Sequence, residues 1–182
     1  VALDRWWPTA GTRRTGERNR HARRVVADGV LVPMALPAAR RDWDFGGEHG
    51  VEAVEAMPFS EIVTLNHHLD VRRMDSWLGA TALRDIRDTA TPEPPVVDAR
   101  GRSAQTFVMQ VALLDARGER RATARGRDIY AVSAPLVVEA AQRLLDGGAG
   151  VAGATTLGAA FDARAMRRAL APTHFEWHSA EG

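Results

Sequence analysis

Two stretches of the sequence combine the residue types that bind anions. Residues 125–128 read Arg-Gly-Arg-Asp, and neighbouring guanidinium groups can hold a carboxylate or a phosphate through paired hydrogen bonds. Residues 8–19, PTAGTRRTGERN, supply threonine hydroxyls, backbone N–H groups made accessible by glycine, and arginines. Both stretches also have an ordinary interpretation, because the first could be a solvated strand face with an Arg–Asp pair and the second a disordered arm.

Adjacent histidines in the segment NHHL, residues 66–69, could serve proton transfer. The segment is predicted to be a strand, where neighbouring side chains point in opposite directions, so at most one of the two lines a given cavity. A histidine in a cavity can act as a general acid or base. The alternative, which we favour, is a strand-end histidine that hydrogen-bonds the backbone.

Two further motifs have structural interpretations that we favour. HFEWH at 174–178 places two histidines and a glutamate on one face of a predicted strand, as a zinc site would, but the same alternation is typical of a polar face exposed to water. GAGVAG at 148–153 matches a dinucleotide-binding pattern, yet it follows a predicted helix instead of a strand, so we interpret it as a helix-ending loop. The sequence has no cysteine, which excludes thiolate chemistry.

The composition narrows the class of protein. The 182 residues are 45% hydrophobic and carry a formal net charge of +1, which suits one globular domain and does not indicate a nucleic-acid or membrane binder. No apolar run is long enough to cross a bilayer, and the N-terminus lacks the order of a signal peptide. We therefore expect a cytoplasmic protein. The chain opens at Val1, which fits either removal of a methionine or a piece of a longer protein.

The elements that must position these residues are predicted from periodicity and turn signals. The strongest signal is a hairpin formed by 105–114 and 119–130, followed by a helix that begins at Ser133 or Ala134 and ends near Gly147. A row of small residues on the returning strand, Ala122, Ala124 and Gly126, predicts a smooth face that a helix or a second subunit could approach closely. The remaining predicted elements are a hairpin at 23–34 around Asp28-Gly29, strands at 51–57 and 61–69, a helix at 70–86, a short helix near 161–170 and a closing strand at 173–178.

Strands outnumber helices and are joined by hairpins, which predicts an α+β fold with a mostly antiparallel or mixed sheet and helices packed on one face. We expect an arm or loop at residues 1–20 and a single domain at 21–182. The predicted helix after Ser133 has an apolar stripe formed by Leu136, Val137, Ala140, Ala141 and Leu144.

The chain resembles the C-terminal part of saccharopine dehydrogenase-like (saccharopine reductase-like) oxidoreductases. The likeness lies in four stretches, RWWPTAGTRRTGERN, PFSEIVTLNHHLDV, RGRDIYAVSAPLVVEAAQRLLDGG and GVAGATTLGAAFDARAMRRAL. The first is similar to a segment whose Gly-Thr loop faces the active-site cleft, and the third to a Gly-x-Asp-x-Tyr strand end that precedes a helix. The N-terminal Rossmann half of the family is absent from this sequence, and its saccharopine-specific residues have no counterpart.

The resemblance implies the substrate-binding and dimerisation domain of an NAD(P)-dependent oxidoreductase of unknown substrate. It implies that NAD(P) binds in the full-length enzyme, that no cofactor is expected on this chain alone, and that the protein is a homodimer acting on a small molecule. The alternative is a stand-alone binding module for a small anionic metabolite. The residues that we expect to contact the substrate are Thr12, Arg13, Thr15, His67, Arg127 and Tyr130.

Overall fold

The computed structural model describes residues 1–147 and 153–179, and within them it has the predicted α+β architecture with antiparallel strand pairing. The strands form a four-stranded sheet of order β1-β8-β9-β10 and two three-stranded sheets of order β3-β2-β6 and β4-β5-β7. The strands are β1 Ala2–Leu3, β2 Arg24–Ala27, β3 Val30–Pro33, β4 Arg40–Asp44, β5 Val51–Ala56, β6 Arg73–Met74, β7 Trp77–Gly79, β8 Thr106–Asp115, β9 Gly118–Arg127 and β10 Glu176–Ser179. The helices are α1 Ala10–Arg18, α2 Glu61–Asn66, α3 Ala80–Arg87, α4 Ser133–Leu145, α5 Leu157–Ala160 and α6 Ala163–Leu170.

Both predicted hairpins are confirmed. Strands β8 and β9 pair over ten residues from Thr106–Arg127 to Asp115–Gly118, which leaves a two-residue turn. Strands β2 and β3 pair across Asp28-Gly29, where both residues have positive φ (50° and 80°), the conformation that a tight hairpin of this kind requires.

The two faces of the β8–β9 hairpin have different environments. On one face Val108 is buried with Phe45 and Val54, so this face packs against the β4-β5-β7 sheet. On the same side Gln110 accepts a hydrogen bond from the Trp43 indole at 2.7 Å. The other face begins with the buried Phe107, but its row of side chains becomes exposed towards the hairpin tip at Met109, Val111 and Leu113.

Arginines and tryptophans alternate where these two sheets meet. The Arg41 guanidinium lies 4.6 Å from the Trp43 ring centre and 4.1 Å from that of Trp77. The Arg121 guanidinium of β9 lies 4.4 Å from the ring centre of Trp43, so this ring contacts both arginines. Such cation–π contacts let arginine cover aromatic surface while its charge stays close to water. The stack therefore fastens the hairpin to the smaller sheet.

A buried carboxylate on β5 is held by two arginines. Glu55 accepts hydrogen bonds from Arg87 of α3 at 2.5 Å and from Arg40 of β4 at 2.9 Å. The Arg87 hydrogen bond is the largest influence on the Glu55 carboxyl, and with the Arg40 contact it lowers the pKa of Glu55 despite the opposing effect of burial. The ion pairs link α3 to the sheet beneath it.

One end of the small-residue row on β9 is covered by the chain's own aromatic ring. Gly126 lies directly opposite Phe107, and a Cβ at position 126 would stand 2.6 Å from the Phe107 Cζ. The glycine is therefore needed because the ring of a neighbouring strand crosses it. The expected approach of a helix or second subunit does not apply at this end of the row.

Residues 1–20 differ from the arm or loop that we expected. Ala2 and Leu3 pair with Val108 and Phe107 as the edge strand of the main sheet, and both are buried. Residues 10–18 form α1, which buries none of its side chains. A two-residue strand is too short to show alternation, and a helix without an apolar face has no hydrophobic periodicity, so neither element leaves a periodic signal in the sequence.

Two other predictions of secondary structure are wrong in part. The predicted strand at 61–69 is the short helix α2, which buries only Ile62. The predicted helix at 70–86 contains two short strands, and only its last part is helical. In this segment Met74 pairs with Val26 and Leu78 with Glu55, so pairing with other strands overrides the helical spacing of the apolar residues.

Helix α4 is confirmed, but its apolar stripe is not buried as a unit. Ala140 is its buried residue, whereas Val137, Leu144 and Leu145 are 65%, 57% and 87% exposed. The exposed side chains fall at helical spacing, so they form a continuous apolar strip on the surface. No helix within the described part of the chain is both long and apolar enough to cross a membrane.

Candidate functional site

The joint between β9 and α4 is built around a buried carboxylate. Asp128 has a φ of 59° and accepts hydrogen bonds from the backbone N–H groups of Ser103 at 2.7 Å and of Tyr130 and Ala131 at 3.0 Å. Burial is the largest single influence and would raise the pKa of Asp128, but these hydrogen bonds together lower it. The aspartate therefore stays charged and fixes the direction in which the chain leaves the strand.

A buried glutamine ties this joint to the N-terminal segment. The Gln105 amide donates to the Arg5 carbonyl at 2.7 Å, and its oxygen accepts from the Ile129 N–H at 2.9 Å. Its backbone carbonyl accepts from the Asp128 N–H at 2.8 Å. These contacts place Tyr130 beside the segment that leads into α1.

The Tyr130 hydroxyl joins two segments that are far apart in sequence, the β9–α4 joint and the N-terminal residues 6–12. Its oxygen lies 2.7 Å from the Trp6 Nε1, 3.4 Å from the Thr9 nitrogen and 2.9 Å from the Thr12 Oγ1. Thr12 Oγ1 in turn lies 3.1 Å from Thr9 Oγ1. We call Trp6, Thr9, Thr12 and Tyr130 the hydroxyl cluster, and all four side chains are half-buried.

The hydrogen-bond pattern determines where one proton of the cluster can go. The tyrosine oxygen accepts from the Trp6 and Thr9 N–H groups. The hydroxyls of Thr9, Thr12 and Tyr130 share two contacts, Thr9–Thr12 and Thr12–Tyr130, and in each of them either hydroxyl can donate. Because three hydroxyl protons meet in two contacts, one is left without a partner among the described residues and is available to an acceptor such as a carboxylate or carbonyl oxygen.

Local sequence explains how the cluster is held. Thr9 is the N-cap of α1, and its side chain accepts from the Thr12 N–H at 3.2 Å. The buried carboxylate of Asp85 on α3 accepts from the Trp6 N–H at 2.9 Å and lies 3.3 Å from the Arg5 guanidinium. Asp85 thereby anchors the backbone immediately before the cluster.

Arg13 places an uncompensated charge next to the cluster in sequence. Its guanidinium donates to the carbonyl oxygens of Thr91 at 2.6 Å and Asp88 at 3.4 Å, and it has no ion pair with any described residue. Carbonyl contacts orient the guanidinium without cancelling its charge. Its unused N–H groups leave it able to bind an anion.

The other residues predicted to contact a substrate have separate environments. Arg127 donates to the Ser103 carbonyl at 2.8 Å and lies 3.9 Å from Asp98, which offsets part of its charge. Thr15 is exposed and donates to the Gly11 carbonyl of its own helix. His67 is exposed at the end of α2, beside a surface depression lined by Gly29 and residues 66–71. Of the six residues predicted to contact a substrate, Thr12 and Tyr130 are hydrogen-bonded to each other through their side chains in the described part of the chain.

His68, and not His67, contacts a distant element. Its Nδ1 lies 3.0 Å from both the Thr64 carbonyl and the Thr156 hydroxyl, which caps α5. A Cβ at Gly158 would stand 2.5 Å from its Nε2, so the ring packs closely on that glycine. Because α2 is a helix, the expected opposite orientation of the two histidines on a strand is wrong.

The predictions for the remaining motifs have different outcomes. GAGVAG lies outside the described residues except for Gly153. HFEWH contributes to β10, where Glu176 and His178 are exposed as we expected. Trp177, which the same interpretation places in the core, is also exposed and lies under the Arg167 guanidinium at 5.3 Å. The described residues contain no group of three acidic or histidine side chains placed to hold a metal ion.

Sequence reasoning missed Trp6, Thr9 and Asp85 as parts of the site. The Thr9 cap could have been found, because threonine after a proline and before a polar helix is a typical N-cap. Nothing in the sequence places Trp6 or Asp85 beside Tyr130. Comparison with protein-family models, with curated proteins and with solved structures found no match, so the site is interpreted from its geometry.

Proposed function

We propose that this chain is the substrate-binding and dimerisation domain of a saccharopine dehydrogenase-like NAD(P)-dependent oxidoreductase whose substrate is unknown. The observation that carries the proposal is the free hydroxyl proton of the cluster formed by Trp6, Thr9, Thr12 and Tyr130, which can orient a carbonyl or carboxylate oxygen. The sequence resemblance supports the same assignment, since its first and third stretches supply these residues.

The chemistry in this proposal is hydride transfer between NAD(P) and a carbon atom of a small substrate. The dinucleotide is held by a nucleotide-binding part outside this chain, and none binds to this chain alone. The cluster binds a substrate oxygen, and Arg13 favours a substrate that carries negative charge. Arg127, Thr15 and His67 remain predicted substrate contacts.

Exposed apolar surface supports the dimerisation part of the proposal. Val111 and Leu113 of the main sheet are 67% and 45% exposed, and Leu144 and Leu145 of α4 are also exposed. Exposed apolar side chains grouped on one element in this way are a feature of interaction sites in soluble proteins. We expect a homodimer, and sedimentation velocity at micromolar concentration tests it. A monomer at every concentration would remove this part of the proposal.

The test of the oxidoreductase assignment uses the native protein purified from its source, whose intact mass establishes whether a nucleotide-binding region precedes residue 1. NADPH or NADH is mixed with a panel of small 2-oxo acids and imines, and the nicotinamide absorbance is followed. Turnover that falls in Thr12→Val and Tyr130→Phe but persists in the exposed control Thr155→Val supports the proposal. Absence of any nucleotide-binding region in the native protein contradicts it.

The second candidate is a stand-alone module that binds a small anionic metabolite without chemistry. The uncompensated charge of Arg13 favours it. In that case calorimetry with small dicarboxylates gives binding that is lost in Arg13→Gln, and the native protein has no nicotinamide-dependent turnover. Calorimetry with NADPH and NADH on this chain adds a check, because the first candidate predicts no tight binding of a whole dinucleotide here.

A further inference from the structure

The outer half of β8 has an open edge. On the side away from β9, β8 pairs with β1 at Phe107 and Val108. The residue before β1 turns to another strand, because the Val1 nitrogen donates to the Trp77 carbonyl of β7 at 2.8 Å. No other strand of the described chain pairs with this side of β8. We call the side of residues 110–114 that faces away from β9 the open edge.

Every second residue of this segment directs its backbone groups at the open edge. The Asp4 N–H donates to the Thr106 carbonyl at 3.2 Å, so the Thr106 carbonyl faces β1. Because the direction of the backbone groups alternates along a strand, those of Gln110, Ala112 and Leu114 point to the same side. Among the described residues, none forms a hydrogen bond with the backbone N–H or carbonyl of these three. Such a row of unpaired groups is a template for another strand.

The segment lacks the features by which natural proteins protect an exposed strand edge, which include charged side chains, prolines and bulges. Residues 109–114 read Met-Gln-Val-Ala-Leu-Leu, with neither a charge nor a proline. Pairing of β8 with β9 is continuous along the whole hairpin and contains no bulge. Val111 and Leu113 on one face and Leu114 on the other are exposed. An apolar edge without protection therefore faces solvent in the single chain.

The segment itself has the pattern of a strand that pairs with its own copy. If two copies pair antiparallel about a twofold axis at Ala112, each Val111 lies opposite the Leu113 of the second copy. Like charges opposite each other would destabilise such a pair, and the segment has no charge to bring together. Gln110 lies opposite Leu114 of the second copy, and both ends of its side-chain amide are already hydrogen-bonded within its own chain.

We propose that two copies of this chain pair through their open edges, antiparallel and centred on Ala112. The two main sheets, each of four strands, then form one continuous sheet of eight. About six backbone hydrogen bonds join the copies, because each of the three outward-facing residues forms a doubly bonded pair. The pairing uses up the open edge, so assembly stops at two copies. This inference deepens the dimerisation part of the proposed function and rests on it.

Sedimentation equilibrium of this chain, from low to high micromolar concentration, measures the association constant. Ala112→Pro removes the N–H at the centre of the open edge, and because that N–H faces away from β9 the hairpin keeps its own hydrogen bonds. The matched control is Glu119→Pro, since by the same alternation the Glu119 N–H faces away from β8. Circular dichroism and urea denaturation report whether each variant is folded.

A second pair of variants tests the twofold register without changing the backbone. Ala112 is exposed, so Ala112→Lys and Ala112→Glu are tolerated by the single chain. Each variant alone places two like charges directly opposite each other, whereas a mixture of the two places a lysine opposite a glutamate. A third variant, Leu144→Lys/Leu145→Lys, changes the exposed apolar side chains of α4, which lie outside the proposed interface.

We expect the association constant to fall roughly tenfold or more in Ala112→Pro and to change little in Glu119→Pro and in the α4 variant. It should fall roughly fivefold in Ala112→Lys and in Ala112→Glu, and the mixture should associate more strongly than either alone. A monomer at every concentration, unchanged association in Ala112→Pro, an equal loss in Glu119→Pro, a mixture no stronger than its components, or open-ended oligomers would each overturn the proposal.

These outcomes separate the open edge from the rest of the proposed function. A dimer that persists in Ala112→Pro and is lost in the α4 variant overturns pairing through β8 but leaves the dimerisation domain in place. A monomer removes both the open-edge dimer and the dimerisation part, and makes the edge a site for a strand of another protein. The nicotinamide-dependent turnover of the native protein tests the oxidoreductase assignment separately.

Discussion

Replacing Tyr130 with phenylalanine removes one oxygen atom and keeps the ring. The lost oxygen is the common partner of Trp6, Thr9 and Thr12, so the substitution removes the side-chain hydrogen bonds that hold the start of α1 to the β9–α4 joint. Because phenylalanine has nearly the same shape, no cavity is expected. The change in the free energy of unfolding therefore reports the hydrogen bonds themselves.

The magnitude follows from their geometry and exposure. The contacts at 2.7 and 2.9 Å have ordinary hydrogen-bond lengths, whereas the one at 3.4 Å is long. A typical intramolecular hydrogen bond contributes about 1 kcal/mol net. The Trp6 and Thr12 groups left behind are half-buried, so water satisfies them in part. We expect a loss of about 1.5 kcal/mol and a melting temperature lower by roughly 3–6 °C.

Urea denaturation followed by tryptophan fluorescence measures this loss, provided that the dependence on denaturant is unchanged. Thr12→Val is measured alone and together with Tyr130→Phe, and the combined loss should be smaller than the sum by about 0.5 kcal/mol or more, because both substitutions break one contact. Thr155 is exposed, so the effect of Thr155→Val on the free energy of unfolding should instead simply add to that of Tyr130→Phe. If the free energies of unfolding of Tyr130→Phe and of the unsubstituted chain differ by less than about 0.3 kcal/mol, the cluster does not fasten α1 and the reasoning is refuted.

Three further predictions follow from the packing and the buried carboxylates. Gly126→Ala should lower the free energy of unfolding by about 1–3 kcal/mol because its Cβ overlaps the Phe107 ring, and Phe107→Leu in the same chain should restore part of it in urea denaturation. Asp128→Ala should lower the free energy of unfolding by about 1 kcal/mol more than Asp128→Asn, because asparagine keeps one acceptor oxygen and tolerates positive φ. Equal losses of stability in the two variants would show that the backbone N–H groups gain nothing from the Asp128 side chain. The pKa values of Asp128 and Glu55 in the folded protein lie below their ordinary values of 3.8 and 4.5. The stabilisation of the folded state by the two charged carboxylates is therefore complete above those ordinary values and is lost as the pH falls through the lower pKa values of the folded protein. A free energy of unfolding that stays constant from pH 6 to roughly pH 2 would contradict this.

Some of the fold could be predicted because its signals are local. The 105–130 hairpin, the Asp28-Gly29 turn and the helix after Ser133 depend on alternation, turn residues and proline position, which a sequence displays directly. The same local signals failed at 70–86, where strand pairing with Val26 and Glu55 outweighed helical spacing. Local patterns therefore determined the hairpins and α4, and they failed where pairing with distant strands decided the structure.

The candidate site divides in the same way. The residue types of the sequence singled out Thr12 and Arg13 as chemistry-bearing side chains, and the family resemblance added Tyr130. Their arrangement depends on contacts across 124 and 100 positions, through the Trp6 indole and the Gln105 amide. No local periodicity encodes such contacts, because they form only when β1 joins the edge of the main sheet and brings the N-terminal segment beside the β9–α4 joint. The sequence by itself thus determined which groups can bind an anion, and the tertiary structure decided which of them share a site.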